Sequence, residues 1–321
     1  MSVLALINPT TLVGKELQER LEKRRDLWQE LRLLSTRSED VGRLTELSGG
    51  AALVQDFDPT SLDDVEIAFL CGPRESLSDA LEAIPASTTG ILLAPDSAAS
   101  DGVAAIAGIQ TSGLAAGSVL VSPHPAVVAA CHLLHPLASY APTTAVATVI
   151  QPASVYDEAG LDELFEQTRR VLAFSSERPE EIFQRQLAFN LLPLARPLHG
   201  LGSQARELLG GETEVALHVL QGGVFHGTSI SLFVRLREDP GEAAVREALE
   251  ASPHLRMEDD ERLLSPIDVA AQDEMVVGEI VREAGGAGIY RFWAVVDNLT
   301  LGSALNGLRL AESLLQPGMV S

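Results

Sequence analysis

Cysteine is nearly absent from this chain: Cys71 and Cys131 are the two it has in 321 residues. That excludes a disulfide framework and reads as reduced thiols. The opening residues show no basic, apolar and cleavage-site succession of a secretory leader, so a cytoplasmic protein is expected. Aromatic residues make up only 4% of the chain, which leaves Leu, Val, Ile and Ala to build the core. Basic residues are few, 23 against 45 acidic ones, for a net charge of −22. Such a surface repels phosphate backbones and anionic membranes, so neither nucleic acid nor a membrane is expected as a partner. Between Gly102 and Tyr156 there is no Asp, Glu, Lys or Arg for 55 residues. Prolines 123, 125, 136 and 142 interrupt the run, and no unbroken apolar stretch approaches the roughly 20 residues that a spanning helix needs. It reads instead as buried interior at a domain joint.

What is present is ordinary for a globular protein, with 46% hydrophobic and 21% charged residues, and the length suits about two domains. "VLALI" at 3–7, the tight "NPTT", and then Leu12, Val13, Leu17 and Leu21 at helical spacing predict strand, loop and helix. Further short strands are expected at 52–55, 65–70 and 90–94, an alternation that implies a parallel sheet covered by helices. After residue 142 the rhythm becomes α+β. "TTAVATVIQ" reads as a strand, 157–174 as an amphipathic helix with Leu161, Leu164, Phe165, Thr168 and Leu172 on one side, and further strands are expected at 214–221, 224–236 and 275–282. "RFWAVVDNL" gives one more strand, and 300–315 a final helix.

Several stretches read in order resemble the aspartate-semialdehyde dehydrogenase family. They include "LVGKELQERL", "DVEIAFLCGPRESL", "LDELFEQTRRVL", "LAFNLLP", "VFHGTSISLFV", "SPIDVAAQDEMVVGEIVRE" and "FWAVVDNLTLGSALNGLRLAESLL". The resemblance implies an α/β fold: a Rossmann-type doubly wound parallel sheet formed by residues 1–123 and 299–321, and an α+β catalytic and dimerisation domain at 124–298. It also implies a chemistry in which a cysteine thiolate attacks the aldehyde or displaces phosphate, a histidine moves the proton and NADP exchanges hydride.

At most positions where that family keeps a working part, this chain carries something else. The family's G-A-T-G-x-V-G loop corresponds to Asn8, Pro9, Thr10, Thr11, Leu12, Val13 and Gly14. The glycines that let backbone approach a pyrophosphate are lost at two of three places, and Pro9 removes an amide donor. Gly14-Lys15 is no Walker loop either, lacking the upstream glycine and the following Ser or Thr. Counting back eleven residues from Pro136, the family's spacing from its proline to its cysteine, reaches Pro125 in "SPHPAV". The family's G-H-S-E, with the histidine as base, corresponds to Gly227, Thr228, Ser229 and Ile230, and a threonine hydroxyl cannot take a proton near pH 7. The serine-rich loop that precedes a substrate-gripping arginine matches 95–102, with Ser100 in the arginine's place. Gln151, in register with the family's active-site glutamine, and Asn298 remain.

The residues present leave two main readings. In one the chain is a noncatalytic dimeric scaffold of the Usg-like branch, with no cofactor and no metal expected. In the other it is an NADP-dependent oxidoreductase of the same class with relocated chemistry, for which His124, His226 and Cys71 are the available groups. In that case Asn8, Thr10, Thr11, Leu12, Val13 and Asn298 would meet the cofactor and Gln151 the substrate. A third reading makes the chain a regulatory subunit paired with an active paralogue. A homodimer is the expected assembly for the scaffold.

Overall fold

The computed structural model describes residues 2–110, 117–258, 262–284 and 288–316. Two compact units emerge, one from Met1–His124 with Ser303–Ser321, the other from Pro125–Gly302.

The first unit opens with β1 (Ser2–Ile7), α1 (Leu12–Lys23), β2 (Trp28–Ser35), β3 (Leu44–Leu47), β4 (Gly50–Leu53) and β5 (Gln55–Asp56). It continues through β6 (Ile67–Cys71), the short α2 (Ser78–Glu82), β7 (Thr89–Leu93), β8 (Val103–Ala104) and β9 (Val119–Val121). Among the described residues its main sheet has the order β5-β2-β1-β6-β7-β9-β8, and its pairs are parallel. The central strands are apolar throughout because helices and loops cover both faces; "IAFLC" and "TGILL" are buried at every position. Their side chains join Ile7, Leu34, Leu62 and Leu77 in one core. Strand order reverses between β1 and β6, which is where an α/β sheet opens its ligand crevice.

One expected strand is corrected. Residues 52–55 do not form a single member of the parallel sheet. Positive φ at Ser48 (58°) and Gly49 (75°) turns the chain into a separate antiparallel hairpin of β3 and β4, and only Gln55–Asp56 joins the sheet.

The second unit contains α3 (Pro125–Leu134), β10 (Pro142–Gln151), α4 (Asp157–Leu172), β11 (Leu191–Pro193), α5 (Leu201–Leu208), β12 (Glu214–Gly222) and β13 (Thr228–Leu236). It is completed by α6 (Glu242–Glu250), β14 (Leu255–Met257), β15 (Met275–Arg282) and β16 (Ile289–Val296). Its sheet is mixed, β11-β12-β10-β13-β16-β15-β14, with α3 packed on β10, β12 and β13. Along β10, buried Ala145, Ala147, Val149 and Gln151 alternate with exposed Thr144, Val146 and Thr148, so one sheet face meets α3 and the other is open. The chain then enters a π turn at Thr300–Ala304 and α7 (Leu305–Leu315), which belongs from Ser303 onward to the first unit and packs on α1 and β7.

Two further expectations change here. The strand predicted from 224 begins at Thr228, because Gly227 (φ 84°) turns the chain immediately before it. The α4 face also differs from the apolar pattern: Gly160, Glu163, Leu164 and Gln167 are buried, whereas Phe165 and Leu172 are 62% and 66% exposed. The polar pair faces inward because it satisfies backbone that has no secondary structure. Glu163 accepts from the amides of Ile182 (2.7 Å) and Phe183 (3.1 Å), and Gln167 from Leu187 (2.6 Å) and Ala188 (3.1 Å). Among the described residues no helix is long and apolar enough to cross a membrane.

Candidate functional site

The tip of β1 is a closed, self-bonded turn. Asn8 is left-handed (φ 58°), and its Oδ1 accepts from the Thr36 amide and hydroxyl, both at 3.0 Å, fastening β1 to the tip of β2. Thr11 caps α1: its hydroxyl accepts from the Gly14 amide at 3.1 Å and donates to the Asn8 carbonyl at 2.9 Å. Across the strand-order reversal Gly72 (φ 109°) leans on Thr11, so close that a Cβ there would lie 2.9 Å from Thr11 Cγ2. A dinucleotide pyrophosphate needs open backbone amides at such a helix start. Here the Gly14 amide is taken by the cap, Pro9 has none to give, and Thr11 carries a side chain, packed beside Gly72, where the family's loop has a glycine. The residues at this tip do not fit that group. Leu12 and Val13 begin α1, with Val13 buried, and Thr10 turns away to donate to Asp40 Oδ2 at 2.6 Å. Cys71 ends β6 at the carboxyl edge of the sheet and is 0% exposed.

Two arginines at the same sheet edge escaped the sequence reading. Arg37, just past β2, lies 2.9 Å from Asp40 Oδ2 and 3.2 Å from Glu39. Arg74, just past β6, lies 3.0 Å from Asp101 Oδ1, and its amide donates to Asp96 at 2.9 Å. Thus the 95–102 loop, which has no arginine of its own, is met by one from elsewhere and neutralises it with its own Asp101. The rule that open α/β sheets bind ligands beyond their strand ends was the available signal for both residues. Ser122 accepts from Asn306 Nδ2 at 2.9 Å, which ties α7 to the segment leading into α3.

In the second unit the positions of interest gather at one edge of the mixed sheet. β10 and β16 end where β13 begins, so Gln151, Thr228 and Asn298 share that edge. Pro125 opens α3 there, packed near enough to Gly302 that a Cβ on the glycine would lie 3.1 Å from Pro125 Cβ. Gln151 Nε2 donates to Gln221 Oε1 at 2.9 Å. Asn298 exchanges hydrogen bonds with Ser154 at 3.1–3.2 Å and accepts from the Gly227 amide at 3.3 Å. Gln151 Oε1 and Thr228 Oγ1 are buried without a hydrogen-bond partner. His124 precedes α3 and is 4% exposed. His226 is exposed, in the bend ahead of β13; the strand expected from 224 would have put it on one face with residue 228, but Gly227 turns the backbone between them. Cys131 lies along α3, with its Sγ 3.9 Å from the Ala205 carbonyl, and burial pushes its thiol pKa far up. Among the described residues no group of three or more His, Cys, Asp or Glu side chains could hold a metal ion.

Residues 134–301 match the family model described as semialdehyde dehydrogenase, dimerisation domain. An aspartate-semialdehyde dehydrogenase of Rickettsia conorii is 26% identical, with 97% of each chain covered. A USG-1 protein homolog of Azotobacter vinelandii is 28% identical, with 98% of each covered. Among solved structures, a probable aspartate-semialdehyde dehydrogenase from Pseudomonas aeruginosa superposes with a TM-score of 0.89 at 26% identity, over 98% of this chain and 99% of that one. Aspartate semialdehyde dehydrogenase II of Vibrio cholerae, solved in complex with ASA, has a TM-score of 0.87 at 20% identity, over 99% of both chains, a likeness of fold.

Proposed function

The chain belongs to the semialdehyde dehydrogenase family, and from that premise we propose that it is a noncatalytic member of the Usg-like branch, a homodimeric scaffold that keeps the architecture without the reaction. One observation carries this reading: at the positions that match the family's nucleophile and base this chain has Pro125, opening α3, and Thr228, opening β13, and neither side chain can do that work. Pro125 presents a saturated ring at the first position of α3. Thr228 offers a buried hydroxyl without a partner, which cannot take a proton at neutral pH. The cap at Thr11 and Gly14 adds a second obstacle, because hydride chemistry needs a held nicotinamide cofactor. Where a nucleophile works as part of a unit, its loss alone costs on the order of a millionfold.

The dimer is proposed to form through the open sheet face, where Val146 and Phe233 stand opposite each other, 51% and 43% exposed. The description of the matched model as a dimerisation domain supports this assembly. In a regulatory variant of the same reading, an active paralogue takes the second place on that face.

The deciding experiment is an assay of aspartate-semialdehyde oxidation with NADP and phosphate, run beside a titration of NADP against melting temperature. The expected result is no turnover and no thermal shift. A ligand at a hundred times its Kd would stabilise the folded chain by about 2.7 kcal/mol, so binding would be visible. Turnover that is lost on changing His124, His226 or Cys71 would replace this reading with that of an oxidoreductase using relocated residues.

A further inference from the structure

Asp40 sits in a polar turn just past β2, yet its side chain is 0% exposed. Its Oδ2 accepts from Thr10 Oγ1 at 2.6 Å and lies 2.9 Å from Arg37 Nε. Its Oδ1 lies 3.2 Å from Arg43 Nη1 but receives no aligned hydrogen bond. A buried carboxylate with one oxygen held by charge alone is a costly way to close a turn. Beside it a cleft of about 170 Å³ is lined by Pro9, Thr10, Lys15, Arg43, Thr45 and Val54. The donors around Asp40 come from the tips of β1 (Thr10) and β2 (Arg37) and from the residue ahead of β3 (Arg43), and Thr10 and Arg43 also line the cleft.

Those two tips bracket the adenosine end of a dinucleotide in sheets of this kind, and an arginine there accommodates a 2′-phosphate. Here the arginine is present as Arg37, and the anion it meets is part of the chain. We propose that Asp40 is a built-in phosphate surrogate: it engages Thr10, Arg37 and Arg43 in place of an external phosphate and so bars 2′-phosphorylated nucleotides while bracing the β1 turn against the tip of β2. The inference rests on the noncatalytic reading above, but it concerns the phosphate end of a nucleotide and neither the thiol nor the base positions. Its physical basis is like-charge exclusion. A second anion brought to the same arginines would face a carboxylate a few ångströms away in a partly buried setting, where such repulsion is worth several-fold to hundred-fold in affinity.

The test uses the full chain and two probes, adenosine 2′,5′-bisphosphate and 5′-AMP, which lacks the 2′-phosphate. Calorimetric titration of the wild type is expected to show no preference for the bisphosphate. Asp40→Ser removes the buried anion, leaving Arg37 with only the more exposed Glu39 at 3.2 Å; it is expected to bind the bisphosphate on the order of tenfold or more tighter than the wild type does. AMP binding should stay unchanged, and a further Arg37→Gln should cancel the gain. If Asp40→Ser proves unstable, inorganic phosphate or the bisphosphate is expected to restore its melting temperature or its refolding, since either returns the missing anion. A wild type that already prefers the bisphosphate overturns the proposal. So does a Ser variant that neither gains affinity when folded nor responds to phosphate when unstable. Dehydrogenase turnover by the wild type would sink the noncatalytic reading instead, a separate result, because phosphate affinity is measured without turnover.

Discussion

The Gly14 amide donates to the Thr11 hydroxyl oxygen at 3.1 Å, closing the turn between β1 and α1 on itself. A side chain at position 14 has nowhere to go: a Cβ would fall 2.4 Å from the Asn8 carbonyl oxygen and 2.9 Å from Pro9 carbon atoms. These contacts are backbone and cannot swing aside. Gly14→Ala is therefore expected to cost about 1–3 kcal/mol, read as a lower urea midpoint with an unchanged slope. A variant as stable as the wild type would show that the turn is looser than these contacts imply.

Both thiols are expected to be silent in the folded protein. Cys71 and Cys131 are each 0% exposed, and burial raises the Cys131 pKa, so its thiolate, the reactive form, is suppressed at pH 8. Native protein should release no thionitrobenzoate from Ellman's reagent over an hour, and guanidinium should expose both thiols. A fast native reaction traced to Cys71 by its Ser variant would favour relocated thiol chemistry.

Restoring the nucleophile by itself is not expected to restore a reaction. In Pro125→Cys the new thiol would stand at the first position of α3, where a helix N-terminus favours thiolate. Thr228 still could not take a proton, and the Thr11 cap would still occupy the Gly14 amide. Absorbance at the NADPH maximum should stay flat in single-turnover mixing, and Pro125→Cys with Thr228→His should be equally flat. The proline variant should also lose about 0.4–1 kcal/mol through greater freedom of its unfolded chain. Hydride transfer by either variant would mean that the β1 turn does admit the cofactor.

Much of the fold was legible because its strands are buried on both faces or on one. Ile67–Cys71 and Thr89–Leu93 read as short apolar runs, and Pro142–Gln151 as a β-branched stretch, in each case within two residues of the observed bounds. The α4 face misled for a physical reason. Glu163 and Gln167 point inward to serve backbone about 20 residues away, a demand that periodicity does not register. The pairings at the sheet edge that span long stretches of chain were hidden in the same way, unlike that of Arg37 with Asp40 three residues on. Arg74 meets Asp101, and Thr10 meets Asp40, across 27 and 30 residues of chain respectively. Composition reported their charges but not their pairing. The strand expected over 224–236 takes in His226, and only the positive φ of Gly227 reveals the turn.

The open face of the mixed sheet yields the last prediction. Val146 and Phe233 are cross-strand partners there, flanked by the Thr144–Arg235 and Thr148–Ser231 pairs. Helix α3 covers the opposite face, so these half-exposed apolar side chains have no function in the core of their own unit. In a two-fold assembly each meets the same face of its partner, and any substitution is present twice. Phe233→Glu would place two carboxylates in one apolar contact, and burying such charges unpaired costs several kcal/mol. Wild type is expected to scatter light as a dimer at micromolar concentration and Phe233→Glu as a monomer, while Phe165→Glu, on the exposed side of α4, should remain dimeric. A wild type that is monomeric at that concentration rejects the dimer. A Phe233→Glu chain that stays dimeric moves the interface off this sheet, and dissociation by Phe165→Glu instead would move it to α4.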